Sequence, residues 1–145
     1  MDAKKFLTGT LVGGIAFFFL GYLIYGMALA SFFSAHAGQS SGEKTMEEIV
    51  WWALILGNLA SGALLTYIFL KWAHATSFSS GASAAAAVGF FMSLSMDLIR
   101  FATTNSFDLT ASLTDVVVGT VMAALAGGAI GAVLGMGSKT AGQPS

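Results

Sequence analysis

The sequence predicts an all-α integral membrane bundle of four transmembrane helices, with both chain ends on the inner side. Three observations carry that expectation. Only 9% of the 145 residues are charged and 56% are apolar, whereas a water-soluble domain needs roughly 25% charged residues to coat its surface. Four uncharged runs, 6–35, 49–70, 75–96 and 116–138, are each long enough to cross a hydrocarbon core of about 30 Å as a helix. Finally, "GGIAFFFLGYLIYGMALASFF" is apolar all round, without the polar alternation of a membrane β-strand, and the only proline is Pro144 in the tail.

The first helix is expected over 6–33. Lys4 and Lys5 precede it and "AHA" at 35–37 resembles a signal-peptidase site. The run is nevertheless far longer than a signal h-region of about 7–15 residues, so a retained helix is expected. The second helix, 46–71, starts at "TMEE", where Thr45 and Glu48 have the spacing of a capping box. Trp51 and Trp52 near its start and Trp72 past its end mark the two headgroup levels that indole prefers. The third helix is expected over 80–103, followed by a short turn, "TTNSFD". The fourth, 109–136, is capped by Asp108 or starts later at Ser112, and the sequence leaves both starts open. A polar tail, 138–145, is expected to be disordered.

With the N-terminus inside, Lys4, Lys5, Lys71 and Lys139 fall on the inner side, Lys44 alone falls in an outer loop and Arg100 sits just inside the outer boundary, an arrangement the positive-inside rule favours. The chain has no cysteine and a net charge of -1. Disulfides are therefore excluded, and no basic patch suggests nucleic-acid binding. His36 and His74 follow successive spans, which puts them on opposite sides of the membrane. No metal site and no cofactor are expected.

Small residues fall in rows of every fourth position: Gly81, Ala85, Gly89 and Ser93 on the third helix, and Gly119, Ala123, Gly127, Gly131 and Gly135 on the fourth. Gly9 with Gly13 and Gly57 with Ser61 make shorter pairs. Helices in lipid associate through close backbone approach, so these rows are read as packing faces.

The chemically informative residues are the ionisable ones inside the spans. Asp97 and Arg100 stand three apart on one helix face and can pair. Asp97 also continues the row that ends at Ser93, so its carboxylate should turn into the bundle. An unpaired charge at mid-helix costs about 2.5–3.5 kcal/mol on insertion scales. If the fourth helix starts near Asp108, Asp115 lies level with Asp97 and Arg100 can bridge both. If it starts at Ser112, Asp115 is a first-turn residue stabilised by the helix dipole. Tyr22, Tyr25, Asn58, Ser61, Ser93 and Ser95 are further candidates for the same outer half, although belt tyrosines and interhelical amide glue are ordinary alternatives. No GxSxG, HExxH, Walker or GxGxxG pattern is present, and an enzyme is the least supported class.

At Gly21–Gly26, "GYLIYG", the chain resembles a bacterial family of small four-helix integral membrane proteins known only as a domain of unknown function. Members carry a Gly-x-x-aromatic-Tyr pattern late in the first helix. Gly21, Ile24 and Tyr25 match it, with aliphatic Ile24 where that family often has tryptophan, and the glycine-rich last helix is similar. The resemblance implies the same topology and a bacterial inner membrane, and it transfers no site residue.

The leading expectation is a structural or accessory membrane component without catalysis, surrounded by the lipid bilayer and assembled as a homo-oligomer or in a larger membrane complex. The runner-up is a small carrier or channel-like protein that binds a proton, cation or small polar solute at Asp97 from the outer side.

Overall fold

The computed structural model describes residues 2–38 and 47–139. Its helices are α1 (Ala3–Gly21), which runs on into a wide π-helical turn (Tyr22–Ala28); α2 (Ala30–Ala35); α3 (Trp51–Ile68), also extended by π-turns (Phe69–Ala73); α4 (Phe78–Thr103); and α5 (Leu109–Lys139). Four stretches, Ala3–Ala28, Trp51–Ala73, Phe78–Thr103 and Leu109–Met136, are long and apolar enough to span a membrane. The protein is an all-α four-helix bundle of the multi-pass membrane type.

Helix starts are set by local polar chemistry. Asp2 accepts hydrogen bonds from Lys4 N at 3.0 Å and Lys5 N at 3.4 Å and so caps α1. At α4, Ser77 Oγ accepts from Ser80 N at 3.2 Å while Ser80 Oγ accepts from Ser77 N at 3.1 Å. That reciprocal cap starts the helix at Phe78, two residues ahead of the expected Ser80. At α5, Asp108 Oδ1 accepts from Ala111 N at 2.8 Å, so the helix begins at Leu109 and the later start at Ser112 does not occur. The second span differs from expectation. It begins at Trp51, and its N-cap Val50 offers no side-chain bond. Glu48 lies in the turn before it, and Thr45 and the expected tail, except its first residues, lie outside the described residues.

α5 is the hub. Half of its apolar window is buried, against 11–22% for the other three spans. It packs along α4 and against α1, and α1 in turn packs along α3. By contrast, α3 and α4 do not pack along their length, which leaves a gap between them floored by α5.

The small residues explain this asymmetry. A Cβ placed on Gly127 would lie 2.2 Å from the Ala85 Cβ, and one on Gly81 would lie 2.2 Å from the Gly127 carbonyl oxygen. Gly131 and Gly135 meet the carbonyls of Ser77 and Thr76 just as closely, and Gly89 meets Ala123. Backbones this near gain dispersion contacts along the whole hairpin. The α1–α3 contact uses Gly9, Gly13, Gly14 and Gly62, where Gly62 faces the Gly14 nitrogen and the Thr10 oxygen. The expected Gly57–Ser61 pair is displaced from this contact: a Cβ on Gly57 would meet nothing within 4 Å, and Ser61 is exposed. One residue is about 100° of helical rotation, so Gly62, next along the chain, is the residue that faces α1.

The end of the bundle that carries the α4–α5 turn is tied by backbone. Gly38 N donates to Ser106 O at 2.9 Å, and Asp108 N donates to His36 O at 3.4 Å. This lays the segment after α2 against the α4–α5 turn. His74 lies at the other end, where its left-handed backbone (φ 46°) terminates the second span.

Candidate functional site

Asp97 stands six residues before the end of α4, and Asp115 stands six residues after the start of α5. In an antiparallel hairpin that symmetry sets them at one depth, about 9 Å from the helix ends. The 26 residues of α4 span about 39 Å against a hydrocarbon core of about 30 Å, which puts both carboxylates roughly 5 Å inside the apolar boundary.

Arg100 joins them. Its Nη2 lies 3.1 Å from Asp97 Oδ1 and 3.5 Å from Asp115 Oδ2. Asp97 is buried, 4% exposed, while the Arg100 side chain is 42% exposed and stacks over Phe107, with Cζ 5.2 Å from the ring centroid. The cation is therefore shielded by an aromatic face and pinned by two acids.

The fourth member comes from α1. Tyr25 sits in the π-turn, where Leu29 N reaches back five residues to Ile24 O at 2.8 Å. The extra residue in that turn rotates everything after it relative to a continuous α-helix. Tyr25 then donates its hydroxyl hydrogen bond to Asp115 Oδ1. The chain of contacts Asp97–Arg100–Asp115–Tyr25 thus ties α4, α5 and α1. Phe33 of α2 closes it from above, with its ring 5.4 Å from Tyr25 and 5.6 Å from Phe107.

Two cavities meet at this cluster. An outer cleft of about 390 Å³ is lined by Tyr25, Ala30, Phe33, Ser34, Arg100, Phe107 and Asp115. An inner, mostly apolar cavity of about 360 Å³ runs along the α3–α4 gap, past Phe17, Ser61, Leu64, Val88, Met92, Ser93 and Met96, and reaches Asp97. Tyr25, Arg100 and Asp115 line both and form the wall between them. Fully ionised, two carboxylates and one guanidinium sum to a charge of minus one, so the cluster has the chemistry to accept one more positive charge or proton.

Two expected members are elsewhere. Tyr22 is 52% exposed on the outside of the π-turn. Asn58 donates to Leu54 O at 2.8 Å within its own helix and lines a separate apolar groove with Gly14, Ile15 and Phe18. Ser95 is exposed, while Ser61 and Ser93 border the inner cavity. Phe33, Ser34, Phe107 and Met96 were not expected at the site. Phe107 carried the one usable signal, an aromatic residue in the turn beside the ionisable residues. Among the described residues no three His, Cys, Asp or Glu side chains converge as metal ligands.

Comparison with family models, curated proteins and solved structures finds no significant match to this chain.

Proposed function

We propose that the protein is a small membrane binding protein or carrier that takes a positively charged group from the outer side onto the Asp97–Arg100–Asp115–Tyr25 cluster. The observation that carries this reading is that the cluster is a wall between two cavities. A pair serving only to lock the hairpin would be packed shut on both sides. Here Arg100 and Asp115 face an open cleft, with Asp97 behind them, and the two carboxylates together carry a charge that Arg100 alone does not balance. The orientation rests on the lysine distribution, which favours an outward-facing cleft with both chain ends inside; a bacterial inner membrane is what the resemblance at Gly21–Gly26 implies.

Tyr25, Phe33 and Phe107 give the cleft aromatic walls suited to a small organic cation. The purely structural role keeps one observation in its favour: the same contacts tie three helices together. In the carrier reading that tie is what a bound cation would tighten.

The test is the thermal stability of the purified protein in detergent with sodium chloride or methylammonium chloride at matched ionic strength. A ligand that binds only the folded state raises stability by RT ln(1 + [L]/Kd), about 2.7 kcal/mol at one hundred times Kd. Methylammonium should stabilise the wild type and leave Asp115→Asn unmoved. No shift with either cation, or an equal shift in Asp115→Asn, overturns the reading.

A further inference from the structure

The inner cavity has an opening that a soluble cation does not need. Its rim residues Ser61, Leu64, Met92 and Met96 are exposed, and in a membrane protein that exposure is toward lipid. The groove follows α4 from Asp97 back to Val88, nine residues, which is about 13 Å of helix. That is close to the depth of one leaflet, half of a hydrocarbon core of about 30 Å. One end is apolar, while the other ends at two carboxylates and a guanidinium lying roughly 5 Å inside the apolar boundary.

We infer that the ligand of this site is a phospholipid of the outer leaflet bearing a primary amine in its headgroup, with one acyl chain lying in the α3–α4 groove. This rests on the cation-binding reading above and names the class of cation. Charge complementarity selects the headgroup. A primary ammonium brings the missing positive charge and three N–H donors to the Asp97 and Asp115 carboxylates. The phosphate beside it faces Arg100, whose two acid contacts are both made through Nη2 and whose exposed side chain borders the outer cleft. A purely anionic head would set its charge against two carboxylates without supplying a cation. A trimethylated ammonium would supply charge but no donor. The gap exists because α3 and α4 do not pack together, and a cavity of about 360 Å³ falls in the range of built small-molecule sites.

The experiment uses the full chain in nanodiscs with matched acyl chains, containing equal parts of phosphatidylethanolamine, phosphatidylcholine and phosphatidylglycerol, followed by native mass spectrometry of the released protein. The expected result is a single retained lipid, with phosphatidylethanolamine favoured about tenfold or more over each competitor, as one charge-assisted hydrogen bond implies. Ser61→Phe, which fills the groove from an exposed position, should abolish that retention and leave the methylammonium shift intact. Asp115→Asn should lose both. Equal retention of the three lipids, retention unchanged in Ser61→Phe, or a lipid-free two-chain species overturns the lipid assignment while the methylammonium shift still stands for the site. Loss of the methylammonium shift in the wild type overturns the cation reading itself.

Discussion

Tyr25 donates its phenolic hydrogen to Asp115, ninety positions away in the chain, and that bond fastens the first span to the last. It joins a turn whose hydrogen bonds skip an extra residue to a carboxylate that also touches Arg100. Three spans therefore share one charge network at a single depth.

Tyr25→Phe tests that fastening. The ring keeps its contact with Phe33 and only the donor is lost. A hydrogen bond to a charged acceptor contributes about 1.5–3 kcal/mol, so thermal unfolding in detergent should fall by several degrees. The methylammonium shift should weaken without disappearing, because both carboxylates remain.

The Asp97–Arg100 pair should behave non-additively. Arg100→Met alone leaves two facing carboxylates without a cation, and breaking a buried pair from one side costs about 3–5 kcal/mol. The exposure of Arg100 puts the expected loss at the lower end. Arg100→Met combined with Asp97→Leu should recover part of it, with a coupling energy of about 0.5–3 kcal/mol in a double-mutant cycle of denaturation measurements. Strict additivity would show that the two side chains do not interact.

Two glycines should separate sharply. Gly127→Ala drives a methyl to 2.2 Å from the Ala85 Cβ, between two backbones that cannot yield cheaply, and overpacking of this kind costs about 1–3 kcal/mol. Gly57→Ala enters open space and should be neutral, or stabilising by up to about 1 kcal/mol through helix propensity. Melting curves of the two variants check both outcomes.

Because the native chain has no cysteine, single cysteines report orientation without background. Asn105→Cys, in the α4–α5 turn, should react with a membrane-impermeant maleimide applied to intact cells. Ser79→Cys, at the opposite end of α4, should react only after the membrane is opened. The reverse pattern would place the cleft inside.

Much of the bundle was legible in advance because hydrocarbon imposes a simple rule on sequence. Gly81 and Gly89, like Gly119 and Gly127, lie on rows of small residues at four-residue spacing, and each is a point where a methyl would collide across the α4–α5 hairpin. The pairing of Asp97 with Arg100 was equally local, since residues three apart on a helix must share a face. Tyr22 and Asn58 illustrate the limit. Both have the chemistry of the cluster, but direction around a helix depends on its winding and on its neighbour. The π-turn takes Tyr25 inward and leaves Tyr22 outside, and Asn58 faces a different groove.

Sequence by itself determined the solvent, the number of spans, the hairpin rows and the presence of two acids and one guanidinium near one boundary. All of these follow from hydrophobic length and helical period, which act along a single chain segment. Only tertiary structure decided that Asp115 joins Asp97, that Tyr25 completes the network and that α3 stands away from α4 to open a groove. Those facts depend on how separate helices meet, and the meeting is set by which backbones can approach closest. α5, whose glycines meet α4 and whose Ile130 and Met122 meet Gly13 and Gly21 of α1, drew those helices together and left the α3–α4 gap as the remainder.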